Sequence, residues 1–150
     1  MGLHLATVAD SIAGLTVTGV TIKDLDQIPP DVTRLTPVLF PEPLNYVTNF
    51  SMSRDSTGTD TDARKTAVYD LNYTFCFSPV GSDRPLALYN EMVAKVVLIV
   101  NDILENSTIT GCVDIELQNI PAFGPVPDPG GNMFDGCRLA FTVTDFLELA

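Results

Sequence analysis

The stretch TAVYDLNYTFCF, residues 66–77, gives the strongest strand signal in the chain. Polar side chains, among them Thr66, Asp70, Asn72 and Thr74, occupy alternate positions. The positions between them are apolar or aromatic: Ala67, Tyr69, Leu71, Tyr73, Phe75 and Phe77. This two-residue period predicts a β-strand that buries one face and presents the other to solvent.

The segment before this strand predicts its antiparallel partner. From Leu44 the sequence alternates again, with Tyr46, Phe50 and Met52 on the same face as Leu44. About a dozen polar residues join the two strands, which predicts a hairpin with a long loop near residues 53–66. A hairpin loop normally has two to five residues, so a loop of this length is typical of a functional or disordered segment. Its base places Arg54 and Asp55 opposite Arg64 and Lys65.

Two segments have helical periodicity. Residues 3–15 predict a short amphipathic helix, because apolar side chains recur every three or four positions. Residues 86–105 predict a long helix whose apolar positions cover more than one face. Such a helix must be buried on two sides. One side meets the sheet, and the other needs the first helix or a neighbouring subunit.

The remaining segments complete an α+β domain. Residues 16–22 predict a weak strand, and the proline-containing residues 24–43 predict an extended connecting arm. Strands are also predicted near residues 112–118 and 138–144, separated by a loop over residues 120–137 whose four prolines and four glycines exclude regular structure. We therefore expect one domain over residues 1–150, with a mainly antiparallel sheet and both helices on one of its faces.

The charge balance limits the possible partners. The chain has 19 acidic and 8 basic residues and a formal charge of −11, so its field repels phosphate backbones. No segment has the ~20 apolar residues of a membrane span, and we expect no membrane partner. The three cysteines are widely spaced without a CxxC pair, which predicts buried reduced thiols.

The residue types needed for catalysis do not form a recognisable constellation. The single histidine, His4, is near the N-terminal end of the first predicted helix. Asp55, Asp60 and Asp62 could offer oxygen ligands to a cation, but they lack the spacing of a calcium loop, so we expect a solvated tip and no cofactor. The carboxylates on predicted strands, Asp70, Asp114 and Glu116, are expected on the solvent side.

An interaction protein is the better functional class. The polar strand faces either meet water or form a polar, self-complementary subunit contact, and the two long loops can reach another protein. The first loop offers Arg54, Asp55, Asp60, Asp62, Arg64 and Lys65, and the second offers Phe123, Met133, Phe134 and Arg138. A small ligand-binding or enzymatic α+β domain remains an alternative, with its cleft beside residues 121–134.

The order of these segments resembles that of the tail terminator, or tail completion, proteins of long-tailed bacteriophages. The resemblance covers a short N-terminal helix, an arm that leads through VLFPEP into a strand, and a long hairpin with an acidic tip before TAVYDLNYTFCF. It continues through a helix led by SDRPLALYNEMV to the closing strand CRLAFTVTDFLEL. It is a similarity of element order and composition.

The resemblance implies a structural role without catalysis. Subunits of such proteins form a ring, typically of six, that caps the tail tube at its head-proximal end, ends tail polymerisation and presents a surface for head joining. The implied partners are other copies, the tail tube protein and the head–tail connector, first in the host cytoplasm and then in the virion. Arg54, Arg64 and Lys65 would pair with acidic residues of a neighbour. Asp55, Asp60 and Asp62 would keep the lumen acidic, so that DNA passes without binding. The nearest alternative is a different virion component, a tail tube protein or a head–tail joining protein.

Overall fold

The computed structural model describes residues 5–55, 64–80, 86–105, 113–118 and 123–148. It is an α+β fold with a strongly curled, mostly antiparallel sheet, which confirms the predicted fold class. The elements in chain order are α1 (Leu5–Ala13), β1 (Thr21–Ile22), β2 (Val38–Pro41), β3 (Val47–Asp55), β4 (Arg64–Pro79), α2 (Leu86–Leu104), β5 (Val113–Leu117), β6 (Phe123–Pro127) and β7 (Met133–Glu148).

Strands β4 and β7 form the centre of the sheet. They are antiparallel along almost their whole length, from the pair Arg64↔Glu148 to the pair Pro79↔Phe134. At the hairpin end, β3 lies beside β4 and β5 lies beside β7. At the other end, β2 and β6 take these places, and β1 is parallel to β2. The sheet therefore has two halves that share the same pair of central strands.

The alternation that defines β4 decides where the main core forms. All six apolar positions from Ala67 to Phe77 are buried, as the sequence predicts. They pack with Val8 and Ile12 of α1 and with side chains of β7 and α2 in one hydrophobic cluster. Both helices thus cover the same face of the sheet, because a helix and a strand bury their apolar sides against each other. Neither described helix combines the length and hydropathy needed to cross a bilayer.

A smaller apolar cluster covers part of the opposite face of the sheet. It contains Val32, Val38, Phe40, Cys76, Val126 and Phe134, and Ile28 and Leu35 pack against it. The arm that the sequence predicted as an extended connection contributes to this cluster. Two 3-10 turns, Leu25–Gln27 and Thr33–Leu35, fold it over the sheet, and its last part is strand β2.

The prediction of an irregular loop over residues 120–137 is wrong. Phe123–Pro127 is a strand that pairs with Met133–Cys137, the beginning of β7. Prolines are compatible with β6 because an edge strand need not donate hydrogen bonds on its outer side. Asp128 builds the turn that follows. Its carboxylate accepts hydrogen bonds from the backbone nitrogens of Asn132 (2.8 Å) and Val32 (3.2 Å).

The first hairpin is confirmed, but the ends of its strands differ from the prediction. β3 continues to Asp55 and β4 begins at Arg64, so both ends of the loop predicted near residues 53–66 are strand, and residues 56–63 lie outside the described part. The predicted start of β3 at Leu44 is also wrong. Leu44 is fully exposed in the preceding turn, and the strand begins at Val47.

Two buried thiols lead to a prediction about alkaline stability. Burial raises the pKa of Cys76 and of Cys137 from 9.0 to about 12. The unfolded chain loses these protons near pH 9, whereas the folded chain keeps them up to about pH 12. We therefore expect the free energy of unfolding to decrease from pH 9 towards pH 12, by up to ~1.4 kcal/mol per pH unit for each thiol. Urea unfolding at a series of pH values measures this decrease.

A variant with Cys76→Ala and Cys137→Ala is the control for this experiment. Burial also raises the pKa of Tyr46, from 10.0 to about 12, so tyrosines add to the decrease at higher pH. The comparison is therefore made between pH 9 and pH 10, where unfolded tyrosines are still mostly protonated and the thiols contribute the larger share of the decrease. An identical pH dependence in the wild type and the double variant would contradict the assignment to the thiols.

Candidate interaction surfaces

The base of the first hairpin gathers charged positions, as predicted. Arg54 pairs in register with Lys65, and Asp55 pairs with Arg64. The sequence therefore identified the right juxtaposition along the backbone. Asp60 and Asp62, the other two residues predicted for this surface, lie outside the described residues.

The four residues predicted for a second interface loop do not form one surface. Phe134 is only 1% exposed and belongs to the smaller apolar cluster. Phe123 packs against the main core on the other face, where its ring makes an edge contact with Tyr89 at 5.5 Å. Phe134 is therefore a core residue, and the interface prediction for it is wrong because this segment alternates as a strand. Met133, 46% exposed, and Arg138 remain on the surface.

Arg138 belongs to a groove of mixed polar and apolar lining on the face opposite the helices. Its Nε lies 2.8 Å from Oε1 of Glu42, and the Thr74 hydroxyl donates to the same oxygen at 3.4 Å. The Arg138 side chain is 59% exposed, so this ion pair adds little stability. The groove has a volume of about 260 Å³, slightly below the roughly 300–1,000 Å³ of ligand pockets. It is lined by Phe40, Glu42, Pro43, Leu44, Asn45, Thr74, Pro127, Asp128, Pro129 and Arg138.

Leu44 lies at the edge of this groove, on a turn that hydrogen bonds fix to β4. Asn72 fixes the turn on both sides, because its carbonyl oxygen accepts from the Glu42 nitrogen (3.0 Å) and its own nitrogen donates to the Tyr46 carbonyl (2.8 Å). The Asn72 side chain also donates to the carbonyl of Asn45 at 2.9 Å. The alternating pattern predicts Leu44 on the inner face of a strand. In the structure it is fully exposed on this turn.

Polar side chains on the same face of the sheet form hydrogen bonds with one another. Asp70, predicted to point to solvent, is only 6% exposed. Its carboxylate accepts hydrogen bonds from the Asn49 side chain at 2.7 Å and from the Thr142 hydroxyl at 3.0 Å. Asn49 reaches it from an irregularity in β3, where its φ is 53°. Asp70 therefore joins three strands. Asp114 and Glu116 are exposed, as predicted.

Helix α2 carries apolar side chains on the side that faces away from the sheet. Met92, Val96, Ile99 and Ile103 are buried against the core. On the opposite side, Ala94 is exposed, and Val97, Leu98 and Leu104 are 51%, 42% and 36% exposed, with the exposed Asn90 and Asn101 among them. We call Ala94, Val97, Leu98 and Leu104 the α2 stripe. Within the described part of the chain, α1 does not cover the α2 stripe, and its covering by a neighbouring subunit stays a prediction.

Neither a search for metal-binding groups in the described residues nor comparison with known proteins identifies a function. In the described ranges, no group of three or more His, Cys, Asp and Glu residues is placed to hold a metal ion. His4 lies outside these ranges. No protein-family model matches the chain, and no curated protein matches it.

Proposed function

We propose that copies of this chain associate into a ring that caps the tail tube of a long-tailed phage, ends tail polymerisation and presents a surface for head joining. The observation that carries the assembly role is the α2 stripe. A helix that already buries one apolar side exposes a second one, with Val97 half exposed and Leu98 and Leu104 more than one third exposed. Such a face is typical of a protein–protein contact.

The assignment to phage tails is supported by the order of the elements. A short N-terminal helix, an arm, a long hairpin, a long helix and a long closing strand follow one another in the described residues. This is the order on which the resemblance to tail terminators rests. The formal charge of −11 also suits a ring through which DNA passes, because an acidic wall does not bind phosphates.

Native mass spectrometry over a range of protein concentrations, combined with negative-stain images, tests the assembly role. We expect a closed ring, typically of six copies, either free or on isolated tail tubes. A tail terminator binds at one end of a tube and stops its growth, whereas a tube protein extends it. A chain that stays monomeric and leaves tube ends uncovered would contradict the proposal. The next experiment would then be a thermal-shift screen for small ligands of the Arg138 groove.

A further inference from the structure

Two exposed apolar surfaces lie on the helix side of the sheet, at opposite edges. The α2 stripe is at the edge formed by β5 and β6, because α2 contacts β5 and its Tyr89 packs on Phe123 of β6. At the other edge, Phe50 of β3 stacks on Tyr69 at 5.8 Å, and Met52 pairs in register with Ala67. Tyr69 and Ala67 belong to the main core, so Phe50 and Met52 are on the helix side as well.

Phe50 and Met52 form what we call the β3 patch. They are 47% and 49% exposed, although the alternating pattern places them on the face that the core uses. β3 lies at an edge among the described strands; Val47 at its start packs against the main core, and Phe50 and Met52 lie further along the strand. Two large apolar side chains are therefore exposed side by side at the edge opposite α2.

The charges around the two surfaces are complementary. Glu91, Leu98 and Glu105 are spaced by seven residues and so follow one line along α2, and both glutamates are exposed. The α2 stripe therefore has a carboxylate near each end. In the sheet register, the pair Arg54–Lys65 comes two residues after the pair Met52–Ala67 and so occupies the face of the β3 patch, whereas the pair Asp55–Arg64 alternates to the other face. Two of the eight basic residues of an acidic chain are thus placed next to the β3 patch.

Pairing of the α2 stripe with a second α2 stripe would bring like charges together. If two α2 helices packed antiparallel about Leu98, Glu91 of one copy would lie beside Glu105 of the other. Parallel packing would place each glutamate beside its own equivalent. Like charges across an interface disfavour association, whereas the β3 patch offers basic neighbours to the same carboxylates.

We propose that the α2 stripe of one copy docks on the β3 patch of a second copy. The two surfaces differ, so the contact is heterologous: each copy uses its α2 stripe on one neighbour and its β3 patch on the other. Repetition of such a contact closes into a ring when the rotation permits and extends into an open filament when it does not. This inference rests on the proposed ring and names the residues that hold it together.

Single variants of the two surfaces provide the first test. Leu98→Asp disrupts the α2 stripe and Met52→Asp disrupts the β3 patch, and each is expected to weaken association by roughly tenfold or more. The matched controls are Leu25→Asp and Val80→Asp, because Leu25 and Val80 are 45% and 40% exposed in other parts of the surface. Both controls are expected to form rings like the wild type.

Mixing the two variants is the decisive test. The Leu98→Asp variant keeps its β3 patch, and the Met52→Asp variant keeps its α2 stripe, so the mixture retains one intact contact. We expect native mass spectrometry to show 1:1 heterodimers in the mixture and monomers for each variant alone. Heterodimer formation also shows that both variants are folded.

Other outcomes would separate this inference from the proposed function. A wild-type ring that persists in both variants overturns the contact and leaves the ring proposal standing. Dimers of Met52→Asp alone, with Leu98→Asp monomeric and no heterodimer in the mixture, would show pairing of α2 stripes and overturn the contact. A wild-type chain that is monomeric in solution and on tail tubes would overturn both proposals.

Discussion

Replacing Phe141 by alanine is expected to lower the free energy of unfolding by about 3–5 kcal/mol, enough to leave little of the stability of an ordinary domain. Phe141 is fully buried in the middle of β7, in register with Leu71 of β4 and Leu117 of β5. Its ring makes an edge contact with Tyr73 at 6.2 Å. The substitution therefore removes apolar contacts from the centre of the main core and leaves a cavity between the sheet and the helices.

Phe146→Ala is the matched control, since Phe146 lies on the same strand but is 46% exposed. We expect this change to cost less than about 1 kcal/mol. Guanidinium unfolding of both variants and the wild type should be compared at one protein concentration, because association stabilises the folded state by mass action. Equal losses of stability in the two variants would contradict the placement of Phe141 in the core.

The sheet centre could be predicted from the sequence because a single physical rule controls it. The side chains of β4 alternate with a period of two over residues 66–77, and only one face of that pattern can be buried as a continuous apolar surface. The same rule placed Leu139, Phe141 and Val143 on one face of β7, where all three are buried. Long elements with strong periodicity contain enough positions to determine their own orientation.

The hairpin of β6 and β7 could not be predicted because long-range contacts decide it. Its prolines and glycines are typical of loops, and nothing in the local sequence indicates a neighbouring strand. The carboxylate of Asp128, which forms the turn, also binds the backbone of Val32 in the distant arm. The local sequence therefore predicts Phe134 in a surface loop, whereas the pairing of its strand with β4 and β6 buries it.

The candidate surfaces also contain features that the local pattern predicts and features that long-range contacts decide. The register of the first hairpin follows from two alternating strands, so the pairing of Arg54 with Lys65 was predictable. The second apolar side of α2 also followed from its composition. The exposure of Phe50 and Met52 did not follow, because it depends on how far the helices extend over the sheet. Neither did the contact between Glu42 and Arg138, which joins the arm to the closing strand.

The second large effect is expected for Gly136→Ala, at the point where β7 passes between β4 and β6. Gly136 pairs with Cys76 on one side and with Gly124 on the other. A Cβ atom at this position would overlap the carbonyl oxygen of Phe75 and lie 2.9 Å from its carbonyl carbon. These are backbone atoms of the central strand, opposite an irregularity between Cys76 and Ser78. They cannot move without separating β4 from β7.

We therefore expect Gly136→Ala to lower the free energy of unfolding by about 3 kcal/mol or more, at or beyond the upper end of overpacking effects. Gly124→Ala is the matched control, because Gly124 is its cross-strand partner and a Cβ atom there would have no neighbour within 4 Å. That variant is expected to change stability by less than about 1 kcal/mol, and a reduced entropy of the unfolded chain favours a small gain. Urea unfolding of the two variants measures the difference. Since both changes add the same methyl group to adjacent strands, equal stabilities would show that the backbone of β4 does not approach β7 as closely as the structure describes.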